Sequence, residues 1–253
     1  MSQGATNSIS VRRSPIRSFM QWSAKAGFAL LSRLKISGQE NFPDTGPLII
    51  VSNHFSFVDP AAIARVTPWP VEFIGGANFP HAPAILHFLP KLWGYYPVHR
   101  GTGSKEALLL ASDLLKGGGV LGIAPEGGNW ANVLRPPRPG AAFLASETGA
   151  KLLPIGLENM ERIFPSLRKG VRARVHINVG KPFGPFKATG KGRERRKQLD
   201  EIGHEIMRNI APLIPAAQRG HYSDDPTIRA AAKGTEVWPW DVAKEGEVKG
   251  KIQ

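Results

Sequence analysis

The sequence predicts an α/β fold with a mixed, mostly parallel β-sheet flanked by helices. Short apolar runs rich in Val, Ile and Leu recur along the chain and end at glycine, proline or polar residues, as buried strands do. Amphipathic stretches of helical length lie between several of these runs, an alternation that favours parallel pairing. A chain of 253 residues, 42% of them hydrophobic, is large enough for one such domain with appendages.

The clearest strand is the apolar run LIIVS, which is bounded by Gly46-Pro47 and by a polar cluster. This composition predicts a buried strand over residues 47–52. Asp59-Pro60 is then a typical helix start, with an N-cap aspartate and a proline at the first helical position. Further strands are predicted at residues 71–74, 95–98, 120–124, 151–157 and 173–179, and further helices at residues 105–116, 139–148 and 194–213.

The predicted elements divide the chain into three parts. Residues 1–37 are interpreted as an N-terminal basic amphipathic membrane-association segment, and residues 38–214 as the main domain. Residues 215–253 are a C-terminal extension in which the sequence predicts no clear helix or strand.

The N-terminal segment has a composition typical of a helix on a membrane surface. Residues 12–35 contain six Lys or Arg and no Asp or Glu, and apolar residues recur among them at helical spacing. No run of about 18 uncharged apolar residues occurs, so we expect the segment to lie on a bilayer without crossing it. Two alternatives are a helix packed on its own domain with a solvated basic face, and an export signal, which Arg12-Arg13 would suggest.

The charge balance implies a partner that carries negative charge. The chain has 33 Lys and Arg against 20 Asp and Glu, a formal net charge of +13. Nucleic acid, anionic lipid and a phosphorylated substrate all meet this requirement. No helix-turn-helix, zinc or aromatic RNA-binding signature is present, so we expect no nucleic-acid partner.

Several kinds of catalytic centre are not expected. The chain has no cysteine, which excludes disulfides, thiolate metal sites and a cysteine nucleophile. His81 and His87 lack partners at metal-ligand spacing, so no metal site is predicted. The Gly-x-Ser-x-Gly elbow of many serine hydrolases is also missing.

His54 and Asp59 follow the first predicted strand in one loop and are the main catalytic candidates. A turn between them can fold the carboxylate back onto the imidazole. A carboxylate bonded to one ring nitrogen fixes the tautomer and leaves the other nitrogen free to take a proton from a substrate hydroxyl. The alternative is that Asp59 is only a helix cap and His54 an ordinary loop residue.

A second candidate feature is a glutamate in a glycine-rich turn at residues 125–128 (PEGG). This turn follows the predicted strand at residues 120–124, and open α/β sheets bind substrates at the C-terminal ends of their strands. Glycines allow the backbone and a ligand to approach closely.

Four blocks of the sequence, taken in order, resemble the lysophosphatidic acid acyltransferase family of glycerolipid synthesis. The family has a histidine and an aspartate separated by four residues, then a glycine, an apolar strand and an arginine. A Pro-Glu-Gly turn and an apolar strand around a proline complete its pattern. The matching blocks are residues 53–59 (NHFSFVD), 94–100 (GYYPVHR), 125–127 (PEG) and 152–155 (LLPI).

The resemblance implies a glycerolipid acyltransferase-like fold and a reaction. A fatty acyl group would move from acyl-CoA or acyl carrier protein to the hydroxyl of a lysophospholipid such as lysophosphatidic acid, in phospholipid biosynthesis. His54 would be the base and Asp59 its orienter, without a cofactor, on the cytoplasmic face of an anionic membrane as a peripheral or monotopic protein. The residues assigned to substrate binding are Asn53, Arg100, Glu126, Gly127, Gly128, Asn129, Arg135 and Arg138.

The chain departs from the family pattern after the Pro-Glu-Gly turn. The family usually has threonine or serine and then arginine there, whereas this chain has Gly128-Asn129. We expect Arg135 or Arg138 to replace the missing charge; otherwise the acceptor is not a simple lysophosphatidic acid. Glu126 is expected to hold Arg100 or a backbone loop, because a carboxylate repels phosphate.

Two other functions fit the sequence. An acyltransferase-like protein could act on a different lipid or glycolipid acceptor. A catalytically silent, basic membrane-binding protein would use the N-terminal segment and residues 161–200, where twelve basic residues face three acidic ones.

Overall fold

The computed structural model describes residues 15–44, 46–76, 87–98 and 104–237, which form a seven-stranded sheet with helices packed on it. The strands are β1 (Ser32–Ser37), β2 (Leu48–Ser52), β3 (Glu72–Gly76), β4 (Tyr96–Val98), β5 (Val120–Ile123), β6 (Lys151–Glu158) and β7 (Ala173–Val179). The helices are α1 (Pro15–Leu31), α2 (Asp59–Val66), α3 (Phe88–Trp93), α4 (Ser104–Lys116), α5 (Pro139–Thr148), α6 (Ile163–Leu167), α7 (Gly192–Ile210) and α8 (Pro226–Ala232).

The sheet is mixed and mostly parallel, which confirms the predicted architecture. Its strand order is β1-β7-β6-β2-β5-β3-β4. Neighbouring strands are parallel, except that β6 and β7 run antiparallel. Because β2 lies between β5 and β6 and is parallel to both, the loops that follow these three strands emerge at the same edge of the sheet.

The central strand β2 is apolar on both faces because both faces are covered. Ile49 and Val51 pack in one buried cluster with side chains from α4, α5 and α7. Leu48 and Ile50 pack in a second cluster with side chains from α1 and α2. A run without alternation of apolar and polar residues is typical of such a strand.

The sequence missed an edge strand. Residues 32–37 were interpreted as part of the N-terminal helical segment, but they form β1, which pairs in parallel with β7. Leu34 and Ile36 turn towards the core while Arg33 and Lys35 are exposed, the alternation of a half-buried strand. The sheet therefore begins inside the segment that the sequence had separated from the main domain.

Three short helices were also missed. They are α3, α6 and α8, and the last of them lies in the C-terminal extension. Asp225 caps α8 by accepting a hydrogen bond from the Thr227 backbone N–H at 2.7 Å, and Pro226 follows as the first helical residue. This arrangement of aspartate, proline and a short helix is a common helix start.

Helix α1 packs on the domain through one side and exposes apolar residues on the other. Phe28 is buried against α2 and the sheet. Four large apolar side chains are 46–72% exposed: Ile16, Phe19, Trp22 and Leu30. No helix in the described part of the chain is both long and apolar enough to cross a bilayer. The exposed surface of α1 thus carries these apolar side chains together with the cation Lys25.

Arg17, counted among the cations of the N-terminal segment, does not face solvent. It is 4% exposed and donates to Glu72 at 3.0 Å through Nη2. Its Nε donates to the Trp93 carbonyl at 2.7 Å. This buried pair fastens α1 to β3 and α3.

We predict that Arg17→Ala lowers the free energy of unfolding by roughly 3 kcal/mol, because Glu72 would keep a buried charge without its partner. Lys25→Ala, which removes an exposed cation from the same helix, should change stability by less than about 0.5 kcal/mol. Urea unfolding of both variants measures the difference. Equal effects of the two substitutions would contradict the role given to the Arg17–Glu72 pair.

Candidate active site

The candidate site forms where β2 and β5 end. Residues 53–58 leave β2, and residues 124–128 leave β5. Since β2 and β5 are adjacent and parallel, these two loops lie side by side at one edge of the sheet. This is the edge at which open α/β sheets bind ligands.

His54 and Asp59 are in direct contact. The distance from His54 Nδ1 to Asp59 Oδ2 is 2.9 Å. The carboxylate can only accept, so Nδ1 carries a proton, and in the neutral imidazole the lone pair is on Nε2. The His54 side chain is 23% exposed while that of Asp59 is 3% exposed. The imidazole can therefore meet a substrate from solvent, and its partner stays protected.

Asp59 does not act as a helix cap. It is the first residue of α2, and its Oδ2 accepts hydrogen bonds from the backbone N–H groups of Phe55 and Ser56, both at 2.8 Å. The carboxylate thus points back into the preceding loop instead of forward into the helix. This finding corrects the prediction of an N-cap and removes the interpretation of Asp59 as a cap alone.

Glu126 joins the two loops. Its Oε1 accepts from the His54 backbone N–H at 3.1 Å, and its Oε2 accepts from Arg135 Nε at 2.9 Å. Glu126 and Arg135 are each 1% exposed. The sequence predicted that Glu126 holds Arg100 or a backbone loop. The contact with the His54 backbone fits the second of these, while Arg100 lies outside the described residues.

Arg135 is a buried support of the turn. Besides Glu126, it donates to the carbonyl of Gly128, and its guanidinium carbon lies 3.7 Å from the centroid of the Trp130 ring. Trp130 in turn donates from Nε1 to the Thr235 carbonyl at 2.9 Å. These contacts link the turn after β5 to the C-terminal extension. The sequence did not indicate roles for Trp130 or Thr235, because their partners are distant in the chain.

The other residues assigned to substrate binding differ in position. Asn53 is fully buried, and its side chain bonds both the N–H and the carbonyl of Leu157 at 2.8 and 2.9 Å, so it joins β2 to β6. Gly127 has φ 78°, a conformation that favours glycine. Asn129 is half-buried and the Arg138 side chain is exposed. Asn53 and Arg135 are thus placed as buried supports of the site instead of as surface contacts for a substrate.

A small pocket lies beside Glu126. Its volume is about 200 Å³, and its lining includes Trp130, Arg135, Arg138 and Glu236. Within the described ranges, no group of three or more His, Cys, Asp or Glu side chains is arranged to hold a metal ion. The pocket is thus lined by two arginines and two glutamates, of which Arg135 and Glu126 form an ion pair.

Burial raises the pKa of Glu126 from 4.5 to about 7, against the opposing effects of the Arg135 guanidinium and the His54 N–H. The protonated carboxyl is therefore favoured in the folded state relative to the unfolded chain. This contribution to stability is complete below pH 4.5 and is lost as the pH rises through about 7.

We predict that the difference in unfolding free energy between the wild type and Glu126→Gln depends on pH. The wild-type value minus the variant value should fall by a few kcal/mol as the pH rises from about 4.5 to about 8. Glutamine does not titrate, so the variant lacks this dependence. Glu40→Gln, at an exposed position, serves as the control and should give a nearly constant difference. Urea unfolding over this pH range makes the measurement. A constant difference for Glu126→Gln would contradict the raised pKa.

Comparison with known proteins identifies related chains. The family model described as Acyltransferase matches residues 33–158. The 1-acyl-sn-glycerol-3-phosphate acyltransferase LPAT1, chloroplastic, of Arabidopsis thaliana is 27% identical over 175 residues, covering 67% of this chain and 49% of that protein. The 1-acyl-sn-glycerol-3-phosphate acyltransferase of Borreliella burgdorferi is 24% identical over 151 residues, covering 58% of this chain and 60% of that protein.

A solved structure shares the fold. The 1-acyl-sn-glycerophosphate (LPA) acyltransferase PlsC of Thermotoga maritima matches with a TM-score of 0.52 and 23% identity, over 75% of this chain and 78% of that one. This chain spans about half the length of the chloroplast relatives, with 49% of each covered. The matched family region begins in β1 and ends with β6, so it contains His54, Asp59 and the turn at Glu126. Residues 33–158 therefore form a domain of the acyltransferase family, and this region is similar to proteins named as 1-acyl-sn-glycerol-3-phosphate acyltransferases.

Proposed function

We propose that the protein transfers a fatty acyl group from acyl-CoA or acyl carrier protein to the hydroxyl of a lysophospholipid such as lysophosphatidic acid, in phospholipid biosynthesis. The observation that carries this proposal is the 2.9 Å contact between His54 Nδ1 and Asp59 Oδ2, at the edge of the sheet where β2 and β5 end. Relatives named as 1-acyl-sn-glycerol-3-phosphate acyltransferases support the choice of acceptor.

The proposed reaction needs a base but no covalent intermediate on the protein. His54 Nε2 takes the proton of the acceptor hydroxyl while the hydroxyl oxygen attacks the thioester carbonyl. The C–O bond forms, the C–S bond then breaks, and the departing thiolate receives the proton from the imidazolium. Asp59 stabilises the imidazolium while it exists, because its carboxylate lies against Nδ1–H. A thioester is activated enough for this path without a serine or cysteine nucleophile.

Glu126 would act in this reaction through His54 and not on the substrate. It is buried and holds the His54 backbone N–H. Arg135 fixes Glu126 from the other side and has little exposed surface of its own. Of the two arginines expected to replace the missing family arginine, Arg135 is therefore no longer proposed as a substrate contact. Arg138, which is exposed and lines the pocket beside Glu126, becomes the proposed contact for the acceptor phosphate.

Membrane attachment is the second part of the proposal. Phe19 and Trp22 stack at 6.1 Å between ring centroids on the exposed side of α1, where four large apolar side chains face solvent. A patch of this kind on a cationic protein suits the surface of an anionic bilayer. The proposed location is the cytoplasmic face of a membrane, bound peripherally or monotopically, where lysophospholipid acceptors reside.

We predict that His54→Ala lowers the rate of acyl transfer by about 10²- to 10⁴-fold, since general base assistance contributes this much. Asp59→Asn should cost a comparable or smaller factor, because the imidazole loses its orienting charge. His176→Ala removes a half-buried histidine on β7 and should leave the rate within about threefold. Initial rates with circular dichroism of each variant make the comparison. Near-normal turnover of folded His54→Ala would refute the mechanism.

We predict that Arg138→Ala raises the KM for lysophosphatidic acid about tenfold or more with a smaller effect on kcat, because a charged hydrogen bond to phosphate is lost. Arg193→Ala, an exposed position on α7, is the matched control. An unchanged KM in Arg138→Ala would contradict this contact. Activity on lysophosphatidic acid in Asn129→Arg that the parent lacks would show that the natural acceptor is a different lipid or glycolipid.

We predict that the double variant Phe19→Glu/Trp22→Glu loses most of its binding to anionic vesicles in a sedimentation assay, because two carboxylates would enter the apolar patch. Leu109→Glu/Leu110→Glu makes the same change at exposed leucines of α4 and should bind nearly normally. Full binding by the α1 variant would show that the membrane contact lies elsewhere.

A further inference from the structure

A second pocket lies where α1 turns into β1, away from the catalytic loops. Its volume is about 410 Å³, and it opens to solvent. Three of the residues that line it are arginines, namely Arg33, Arg65 and Arg172, and none is acidic. It shares no lining residue with the pocket beside Glu126. Three guanidinium groups around one open cavity produce a positive field that favours an anion.

One of these arginines has an unused donor. The Nε of Arg65 is buried and has no hydrogen-bond partner among the described residues. A buried charged donor without a partner costs free energy, which a rotation of the guanidinium towards an anion in the pocket would recover. Because guanidinium matches the oxygens of a phosphate group in shape and charge, phosphate is the ligand chemistry that fits best.

Arg172 lines the pocket and is held in place by hydrogen bonds to backbone carbonyls. Its Nη2 donates to the carbonyls of Ala29 at 2.8 Å and Ser32 at 2.6 Å, and its Nε donates to Ser32 at 3.2 Å. These bonds fix the guanidinium across the end of α1. They also occupy carbonyl oxygens that would otherwise repel an anion at a helix C-terminus.

The apolar side of α1 leads to this pocket. Leu30, next to the lining residue Ala29, is 72% exposed. At 100° per residue, Leu30 lies with Ile16, Phe19 and Trp22 in an arc of about 120° around the helix axis. A molecule that carries both a phosphate and an apolar chain would match the pocket and the neighbouring apolar stripe together.

We propose that this three-arginine pocket binds the phosphate of an anionic phospholipid headgroup when α1 lies on the membrane. The site is separate from the acceptor site beside Glu126. It would fix the depth and orientation of α1 on the bilayer. The assignment of the phosphate to a lipid rests on the proposed membrane attachment of α1. The proposal that the pocket binds an anion does not depend on that attachment.

The test compares Arg33→Gln/Arg65→Gln with Arg193→Gln/Arg196→Gln, which loses the same charge from exposed positions on α7. Sedimentation with phosphatidylglycerol–phosphatidylcholine vesicles gives the partition coefficient, and calorimetric titration with inorganic phosphate tests the pocket without lipid. The pocket variant should bind vesicles on the order of tenfold more weakly than the control, and it should lose the phosphate heat. Arg33→Gln alone, at an exposed position, should show part of both effects and serves if the double variant unfolds.

Each outcome separates the possibilities. Loss of both signals in a variant with normal circular dichroism supports a lipid headgroup site. Loss of phosphate binding with vesicle binding equal to the control overturns the lipid assignment, since the pocket then takes a soluble phosphate. No difference from the control in either assay overturns the site. Acyl transfer by the pocket variant to detergent-dispersed acceptor should stay within about threefold of wild type. A failure of the pocket proposal can therefore be distinguished from a failure of the catalytic proposal.

Discussion

The site depends on a carboxylate buried between two loops. Glu126 is almost completely removed from water, and a group in that position is tolerated only when its hydrogen bonds are made. The His54 N–H and the Arg135 guanidinium make them, so the loop after β2, the turn after β5 and the segment that follows are fixed relative to one another. The orientation of the His54 imidazole is therefore set by contacts on its backbone as well as by Asp59.

The C-terminal extension takes part in the same arrangement. Arg135 packs on Trp130, and the Trp130 indole bonds the Thr235 carbonyl beyond α8. Glu236 lines the pocket beside Glu126 and lies 3.2 Å from His221 Nε2. The C-terminal extension is thus in contact with the candidate site through Thr235 and Glu236.

The sequence predicted what depends on neighbours along the chain. The sequence predicted the strands around β2 because their apolar runs are continuous. It predicted the His54–Asp59 contact because the two residues are only five positions apart in one loop. The sequence could not predict that Asn53 bonds Leu157, or that Arg135 pairs with Glu126 inside the protein, because these contacts depend on strand order and burial. β1 was missed because its exposed cations extend the basic pattern of α1, and only its pairing with β7 makes it a strand.

We propose that the arrangement around His54 moves an acyl group. The most direct measurement incubates the purified chain with radiolabelled acyl-CoA or acyl carrier protein and a panel of lysophospholipids, glycolipids and simple alcohols, and separates the lipid products. We expect label in a new ester at the hydroxyl of a lysophospholipid, so that lysophosphatidic acid gives phosphatidic acid. No labelled product from any pair of donor and acceptor would contradict it and would favour a catalytically silent membrane-binding protein.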